Sequence, residues 1–312
     1  MDFVQRLSEI KPDQETVLTI GVFDGVHLGH CHLLDEVINR AGKDYIPAVM
    51  TFTNHPATVI NPGLQIQKLS TTEEKSRLIS KQGIELIVPI PFDQELAAVS
   101  ASNFSEALVN HLKIAGLVIG PDFALGKGRE GNYNVLTQLG MKLGFWVGSV
   151  SPLIIDGLPV KSRRIRQDLA EGSITTVTKQ LGRLFSISGS VITGNKQGRE
   201  LGFPTANLSV SENMLLPGDG IYATWTTVNQ HTYPSATSIG IRPTFGLTER
   251  VVEAHILDFD QNIYGEHITV QFVEKIRDQE TFDNLPALIT QIAEDVSKAR
   301  ITLKDHGGSN FA

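Results

Sequence analysis

The sequence predicts two domains, an open, doubly wound α/β sheet followed by a compact antiparallel sheet or small barrel that ends in a helix. Three observations predict it. Short apolar runs alternate with helix-spaced segments over residues 17–169, period-two strands punctuated by turn residues fill 186–276, and helical spacing returns over 284–303. At 312 residues with 41% hydrophobic residues, the chain is long enough to bury two cores.

The first half carries five candidate strands, VLTIGVF (17–23), YIPAVMTF (45–52), ELIVPIPF (85–92), GLVIG (116–120) and FWVGSV (145–150). Each is short, rich in β-branched residues and apolar almost throughout, the pattern of a parallel strand buried on both faces. A helix is expected from His32, with Leu33, Leu34, Val37, Ile38 and Ala41 on one face. Ser70 and Glu73 have capping-box spacing and open a second helix through Ile79. In the second half SISGSVITG, GIYATWTTVNQHTYPSATSIGI, RVVEAHILDF and EHITVQFVEKI alternate over much of their length. Turns fall at Gly194-Asn195, Asn229-Gln230 and 260–262. The tail places Leu285, Leu288, Ile289, Ile292 and Val296 on one helical face. The change of period puts the domain boundary near 180–186, giving domains 1–182 and 183–312.

Composition narrows the function. A net charge of -7 with no dense Lys/Arg run argues against a nucleic-acid partner. The single cysteine, Cys31, excludes an intramolecular disulfide and a multi-thiolate zinc site. The first residues lack the basic stretch and apolar core of a signal peptide, and no apolar run approaches the ~20 residues of a membrane span. The expectation is a cytoplasmic protein with no membrane partner; oligomeric state is not legible.

Two segments carry candidate chemistry. GVFDGVHLGH (21–30) follows the first strand and precedes a helix, at the carboxyl edge where doubly wound sheets bind ligands. Gly21, Gly25 and Gly29 let backbone approach phosphates, with Phe23 and Asp24 in the same turn, and the helix start offers unpaired N–H groups to an anion. His27 and His30 are placed to face the α-phosphate of a nucleoside triphosphate and stabilise charge as pyrophosphate departs. Two histidines at this spacing are also found as plain polar residues at a helix start, or as metal ligands with Asp24 or His32. The strand before, the glycines within and the helix after together favour nucleotidyl transfer.

GSVITGNKQGRELGFPTANL (189–208) runs from a strand through a glycine-spaced basic loop to Pro-Thr-Ala-Asn. Gly194, Gly198 and Gly202 suit a loop wrapping phosphates, with charge from Lys196 and Arg199. Thr205 and Asn207, two residues apart on an extended segment, present hard oxygens suited to Mg²⁺. Glu253, in the alternating strand RVVEAHILDF, is a candidate base for a hydroxyl that attacks a γ-phosphate. A local turn and a solvent-facing glutamate are the ordinary readings of the same residues. GIRPTFG (240–246) and IRDQETF (276–282) are loops with arginine and an aromatic, open to reading as clamps or as connections.

With these motifs the first half resembles the His-x-Gly-His nucleotidyltransferases, and among them the FMN adenylyltransferase domain of the prokaryotic bifunctional riboflavin kinase/FAD synthetases. TFTNHP (51–56), FDQELA (92–97) and GPDFALGKGREGN (120–132) are similar to that family's flavin and nucleotide loops. The resemblance implies Asn54, His55 and Pro56 near phosphate or flavin, and Asp122 and Phe123 at the start of the pocket lining. The family's Ser-Ser-Thr-x-x-Arg element reads KSRRIR (161–166) here. Ser162 and Arg166 match, while Lys161 and Arg163 replace a serine and a threonine. These cations suit the triphosphate, but they do not copy a hydroxyl that both accepts and donates.

The second half resembles the riboflavin kinase domain in motif order throughout, which implies a six-stranded barrel with a C-terminal helix. It also implies Thr205 and Asn207 as Mg²⁺-ATP ligands, Glu253 as base, and a loop from Arg277 to Phe282 closing over the flavin. The expected function is FAD biosynthesis: riboflavin and ATP give FMN, then FMN and ATP give FAD and pyrophosphate. Two alternatives stay open, a kinase whose first domain is weak or uses another acceptor, and a non-catalytic flavin or nucleotide sensor.

Overall fold

Residues 3–194, 197–241 and 250–306 of the computed structural model are described below. The chain divides into two compact units, Met1–Ser162 and Arg163–Ala312.

The first unit is a five-stranded parallel sheet in the order β3-β2-β1-β4-β5. Its strands are β1 (Thr16–Gly21), β2 (Ile46–Phe52), β3 (Leu86–Ile90), β4 (Ile114–Ile119) and β5 (Trp146–Ser149). All five lie where the apolar runs place them. Alternation along β1 explains why both faces carry helices. Leu18 and Ile20 join one core, with Phe3 and Leu7 of α1 (Phe3–Ser8), Phe104 and Leu108 of α6 (Ala101–Leu112), and Leu136 of α7 (Tyr133–Leu143). Val17 joins a second core, with Leu34 and Val37 of α2 (Leu28–Ala41) and Ile79 of α4 (Thr72–Lys81). Two short helices, α3 (Pro56–Ile60) and α5 (Gln94–Ala97), and a small hairpin of β6 (Ile154–Ile155) and β7 (Leu158–Pro159) complete the unit.

Two boundaries differ from the sequence expectation. Helix α2 begins at Leu28, one turn earlier than His32, because His27 caps it: its Nδ1 accepts the His30 N–H at 3.1 Å. Helix α4 is capped by Thr71, whose hydroxyl accepts from the Glu74 N–H, instead of by Ser70. Ser70 is released for a distant task and accepts the Gly25 N–H at 3.0 Å.

The second unit begins with α8 (Ser162–Ala170, whose first residue closes the first unit) and α9 (Ile174–Leu181). It continues into a closed antiparallel barrel ordered β10-β11-β12-β9-β8-β13. The strands are β8 (Phe185–Ile192), β9 (Ala206–Ser209), β10 (Gly220–Val228), β11 (His231–Ile241), β12 (Arg250–Ile256) and β13 (His267–Arg277), with a single helical turn, α10 (Gln197–Glu200), before β9. Asn229 and Gln230, both left-handed, form the two-residue turn between β10 and β11. Tyr222, Phe272, Ile187, Val252 and Ala254 are buried. The hydroxyls of Thr224 and Thr237 satisfy each other at 2.7 Å. Helix α11 (Leu285–Asp305) packs Ala299 and Leu303 on Ala223, Ala236 and Val273. Its inner face keeps part of the expected one: Val296 packs on that core, and Leu288 and Ile292 are half-buried. Leu285 and Ile289 are exposed, while Asp295 is buried because it pairs with Arg277.

One buried cation ties the ends of β1 and β2 together. Lys75, only 5% exposed, donates to the carbonyls of Val22 (3.1 Å) and Phe52 (2.6 Å). Burial lowers its ammonium from the ordinary 10.5 to about 8; Asp24 works against that shift and Lys68 adds to it. Between these values the unfolded chain holds a proton that native Lys75 has released, so this side chain's contribution to stability rises with pH over that interval. Denaturant unfolding followed through Trp146 in a Trp225→Phe background should show the wild-type stability advantage over Lys75→Met growing from pH 7.5 to 10, by up to ~3 kcal/mol. A difference that is flat with pH contradicts the assignment.

Candidate functional sites

In the first unit the loop after β1 adopts a strained path, with Phe23 at φ 51° and Val26 at φ 36°. Position 25 must be glycine: its φ is 79°, and a Cβ there meets Leu69 Cβ at 2.9 Å. Position 29 is a tight fit for any side chain, because a Cβ there would lie 3.1 Å from the His27 ring and from the Val160 carbonyl. Gly21 packs under the Phe23 ring. The buried Asp24 carboxylate accepts the backbone N–H of Leu69 at 2.9 Å and of Ser70 at 3.3 Å, so it clamps the loop to the start of α4.

The imidazoles of His27 and His30 stack with centroids 3.6 Å apart and planes 12° off parallel. Because His27 Nδ1 accepts a hydrogen bond, its proton lies on Nε2 in the neutral ring. Both rings line a cleft of about 270 Å³ together with Gly120, Pro121, Lys161 and Ser162. This cleft joins the carboxyl ends of β1 and β4, neighbouring strands with connections on opposite sides, where a doubly wound sheet places its ligand. Ser162 Oγ donates to the Asp24 carbonyl at 3.0 Å. Arg163 and Arg166 stand on α8 in the second unit, Arg163 exposed and Arg166 half-buried.

Most of the other expected residues of this unit do not line the histidine cleft, and Asp122 adjoins it through Lys161. Asp24, Asn54 and His55 line a smaller cavity with Lys68 and Lys75. Asn54 pairs its amide with the Phe92 backbone, donating and accepting at 2.8 Å. His55 caps α3 by accepting the Ala57 N–H, and Pro56 takes the first helical position. Asp122 lies 2.9 Å from Lys161, which holds its carboxyl below the usual range, and Phe123 packs against the core.

In the second unit the strand register assembles the site. β12 pairs with β9 so that Glu253 lies opposite Asn207. Thr205 Oγ1 donates to Glu253 Oε1 at 3.4 Å. Two glycines make room for this pair. A Cβ on Gly194 meets the Asn207 amide nitrogen at 2.4 Å, and one on Gly198 meets the Phe203 carbonyl at 2.4 Å and Thr205 Oγ1 at 3.3 Å. Lys196 and residues 242–246 of GIRPTFG lie outside the described residues. Among the described residues no cluster of three or more His, Cys, Asp or Glu suits a metal ion. Thr205 and Asn207 each carry a hard side-chain oxygen, the ligand type Mg²⁺ takes, on the segment beside Glu253.

Two cavities meet at Thr205. One, about 270 Å³, is lined by Arg199, Thr205, Ala206 and the 259–264 segment. The other, about 280 Å³, is lined by Thr205, Glu253, His255, Arg277, Phe282 and Asp295. Arg277 is held by a forked pair with Asp295, Nε to Oδ1 at 2.9 Å and Nη2 to Oδ2 at 2.7 Å. Its guanidinium sits 5.7 Å from the Phe282 ring centroid.

Sequence reasoning missed Lys75, His255 and Asp295. Lys75 and Asp295 are polar positions on amphipathic helices and read as solvent-facing. His255 had a signal: it shares the strand face of Glu253, two residues away.

Comparison with known proteins extends this picture. A riboflavin kinase family model matches residues 181–303, and an FAD synthetase family model matches residues 9–164. The bifunctional riboflavin kinase/FMN adenylyltransferase of Escherichia coli strain K12 is 36% identical over 300 residues, 95% of each chain. That of Pseudomonas fluorescens is 33% identical, covering 96% of this chain and 97% of its own. A solved structure titled as a macrolide-efflux protein from Streptococcus pneumoniae superposes with a TM-score of 0.87 at 29% identity, covering 94% of this chain and 96% of that one. The two domain families expected from the motifs are the two that match, and the chain belongs to the bifunctional riboflavin kinase/FMN adenylyltransferase family.

Proposed function

We propose that the barrel phosphorylates riboflavin with ATP to give FMN, and that the parallel sheet adenylylates FMN with a second ATP to give FAD and pyrophosphate. The observation that carries the first activity is the meeting of two cavities at Thr205, beside Glu253. The cavity with Arg199 suits the nucleotide. The one with the Arg277–Phe282 clamp and Ile292 suits a planar, partly apolar flavin.

Glu253 takes the proton of the ribityl hydroxyl as it attacks the γ-phosphate, the bond to the β,γ-bridging oxygen breaks, and ADP leaves. Thr205 and Asn207 hold Mg²⁺-ATP in this reading, and the metal supplies charge neutralisation on the phosphate oxygens. Arg277, fixed by Asp295, orients the flavin through Phe282.

In the first domain, His27 and His30 stabilise the charge that builds on the α-phosphate while the helix α2 N-terminus binds the anion. Lys161 and Ser162 line the same cleft and suit the triphosphate. Asp122, Phe123 and the His55 cavity are assigned to the flavin side. We set the functional boundary at 182/183, where Gly182 ends α9 in a left-handed cap. No helix among the described residues is long and apolar enough to cross a membrane, and use of two ATP molecules suits the cytoplasm.

Incubation with riboflavin, ATP and Mg²⁺, followed by separation of flavins, tests the whole scheme. FMN and FAD are both expected; FMN alone removes the adenylyltransferase, and unchanged riboflavin removes the kinase. Glu253→Gln should lower FMN formation by roughly 10²- to 10⁴-fold and leave FMN-to-FAD conversion intact. His30→Ala should do the reverse, by about 10²- to 10³-fold. Loss of both steps from either change contradicts two independent sites. Chelation of divalent cations with EDTA should stop riboflavin phosphorylation, and added Mg²⁺ should restore it; Asn207→Leu should abolish the restoration.

A further inference from the structure

Pro204 interrupts the β9–β12 ladder. β9 pairs with β12 as Leu208 with Val252, Asn207 with Glu253 and Ala206 with Ala254, and there the pairing ends. Proline has no N–H with which to extend it, while its exposed carbonyl can still accept from a donor. That donor comes from a side chain: His255 Nδ1 lies 2.8 Å from the Pro204 carbonyl oxygen. A carbonyl only accepts, so the proton on this bond belongs to Nδ1. The same imidazole meets the Phe203 ring edge-on, with centroids 5.6 Å apart. His255 thus grips the chain on both residues that precede Thr205. It also shares the strand face of Glu253 and lines the same cavity.

We propose that His255 is a positioning residue for phosphoryl transfer. By donating Nδ1–H to the Pro204 carbonyl, it tethers β9 to β12 beyond the last ladder pair and holds Thr205 in place against Glu253. This rests on the reading of Thr205, Asn207 and Glu253 as the kinase site. Proline removes the ladder N–H one residue before Thr205, and on its other side the Phe203 N–H bonds the Gly198 carbonyl of the glycine-spaced turn at 2.7 Å. The β8 and β12 ladders hold Asn207, so the placement of Thr205 relative to the base is the quantity that His255 controls.

Three substitutions in the full chain separate the hydrogen bond from the packing. His255→Phe keeps a ring against Phe203 and removes the donor. His255→Asn returns an N–H close to the Nδ1 position, whereas His255→Gln places its amide N–H near Nε2. Riboflavin phosphorylation should fall roughly 5- to 10-fold in kcat/KM in the Phe variant, with half-saturating Mg²⁺ raised and Mg·ADP binding by calorimetry weakened to a similar degree. Asn should recover most of both losses, and Gln should not. Wild-type activity and Mg·ADP affinity in the Phe variant overturn the proposal, as does a loss that Asn fails to restore or that Gln restores equally. If the Phe variant does not fold, ¹⁵N spectra of wild-type His255 decide: a protonated Nδ1 is expected, and an unprotonated Nδ1 overturns it. A wild-type chain that neither makes FMN nor binds Mg·ADP overturns the kinase reading itself, an outcome distinct from the failure of His255 alone.

Discussion

The pairing of β12 with β9 controls the geometry of the barrel site. Glu253 stands opposite Asn207, flanked by Val252 and Ala254 on one strand and by Ala206 and Leu208 on the other. These four flanking residues are buried. A slip of one residue would carry them out of the core and turn the polar residues inward, so burial enforces the register. Closure of the barrel removes the free edges along which slippage would start. Functional precision here is a by-product of hydrophobic packing on the opposite face of the same strands.

The parallel sheet reaches the same end by different means. The loop after β1 holds Phe23 and Val26 in left-handed conformations, which cost ~1–3 kcal/mol each. The segment 68–75 offsets this cost. It supplies the N–H groups of Leu69 and Ser70 to Asp24, the Ser70 hydroxyl to Gly25 and the Lys75 ammonium to Val22 and Phe52. Lys68 adds a bond to the Thr53 carbonyl at 3.1 Å. The strained loop is over-determined from a neighbouring strand connection, which keeps His27 and His30 stacked at the mouth of the cleft.

Local signals in the sequence were legible where the physics is local. Apolar runs located all five parallel strands, since burial on both faces leaves no room for polar residues. Period-two alternation located β8, β10, β11, β12 and β13, and two glycines of GVFDGVHLGH, Gly25 and Gly29, sit where a Cβ would crowd a neighbouring side chain. The cap of α4 illustrates the limit. Ser70 and Thr71 are adjacent hydroxyl residues with equal capping chemistry, and only the distant demand of Gly25 for an acceptor assigns Ser70 elsewhere. The inner face of α11 shows the same limit. Asp295 is buried because Arg277, eighteen positions earlier in the chain, delivers a guanidinium to it.

The sequence by itself determined the two fold classes, the order of the elements and the segments that carry chemistry. Periodicity and short motifs are contiguous properties, written in neighbouring residues. Tertiary structure decided the polar partnerships: Lys75 under the strand ends, Asp24 on the 69–70 backbone, Arg277 with Asp295, and His255 on Pro204. A buried donor or acceptor must be satisfied wherever the fold places it. Which residue does so depends on proximity in space, which no local pattern encodes.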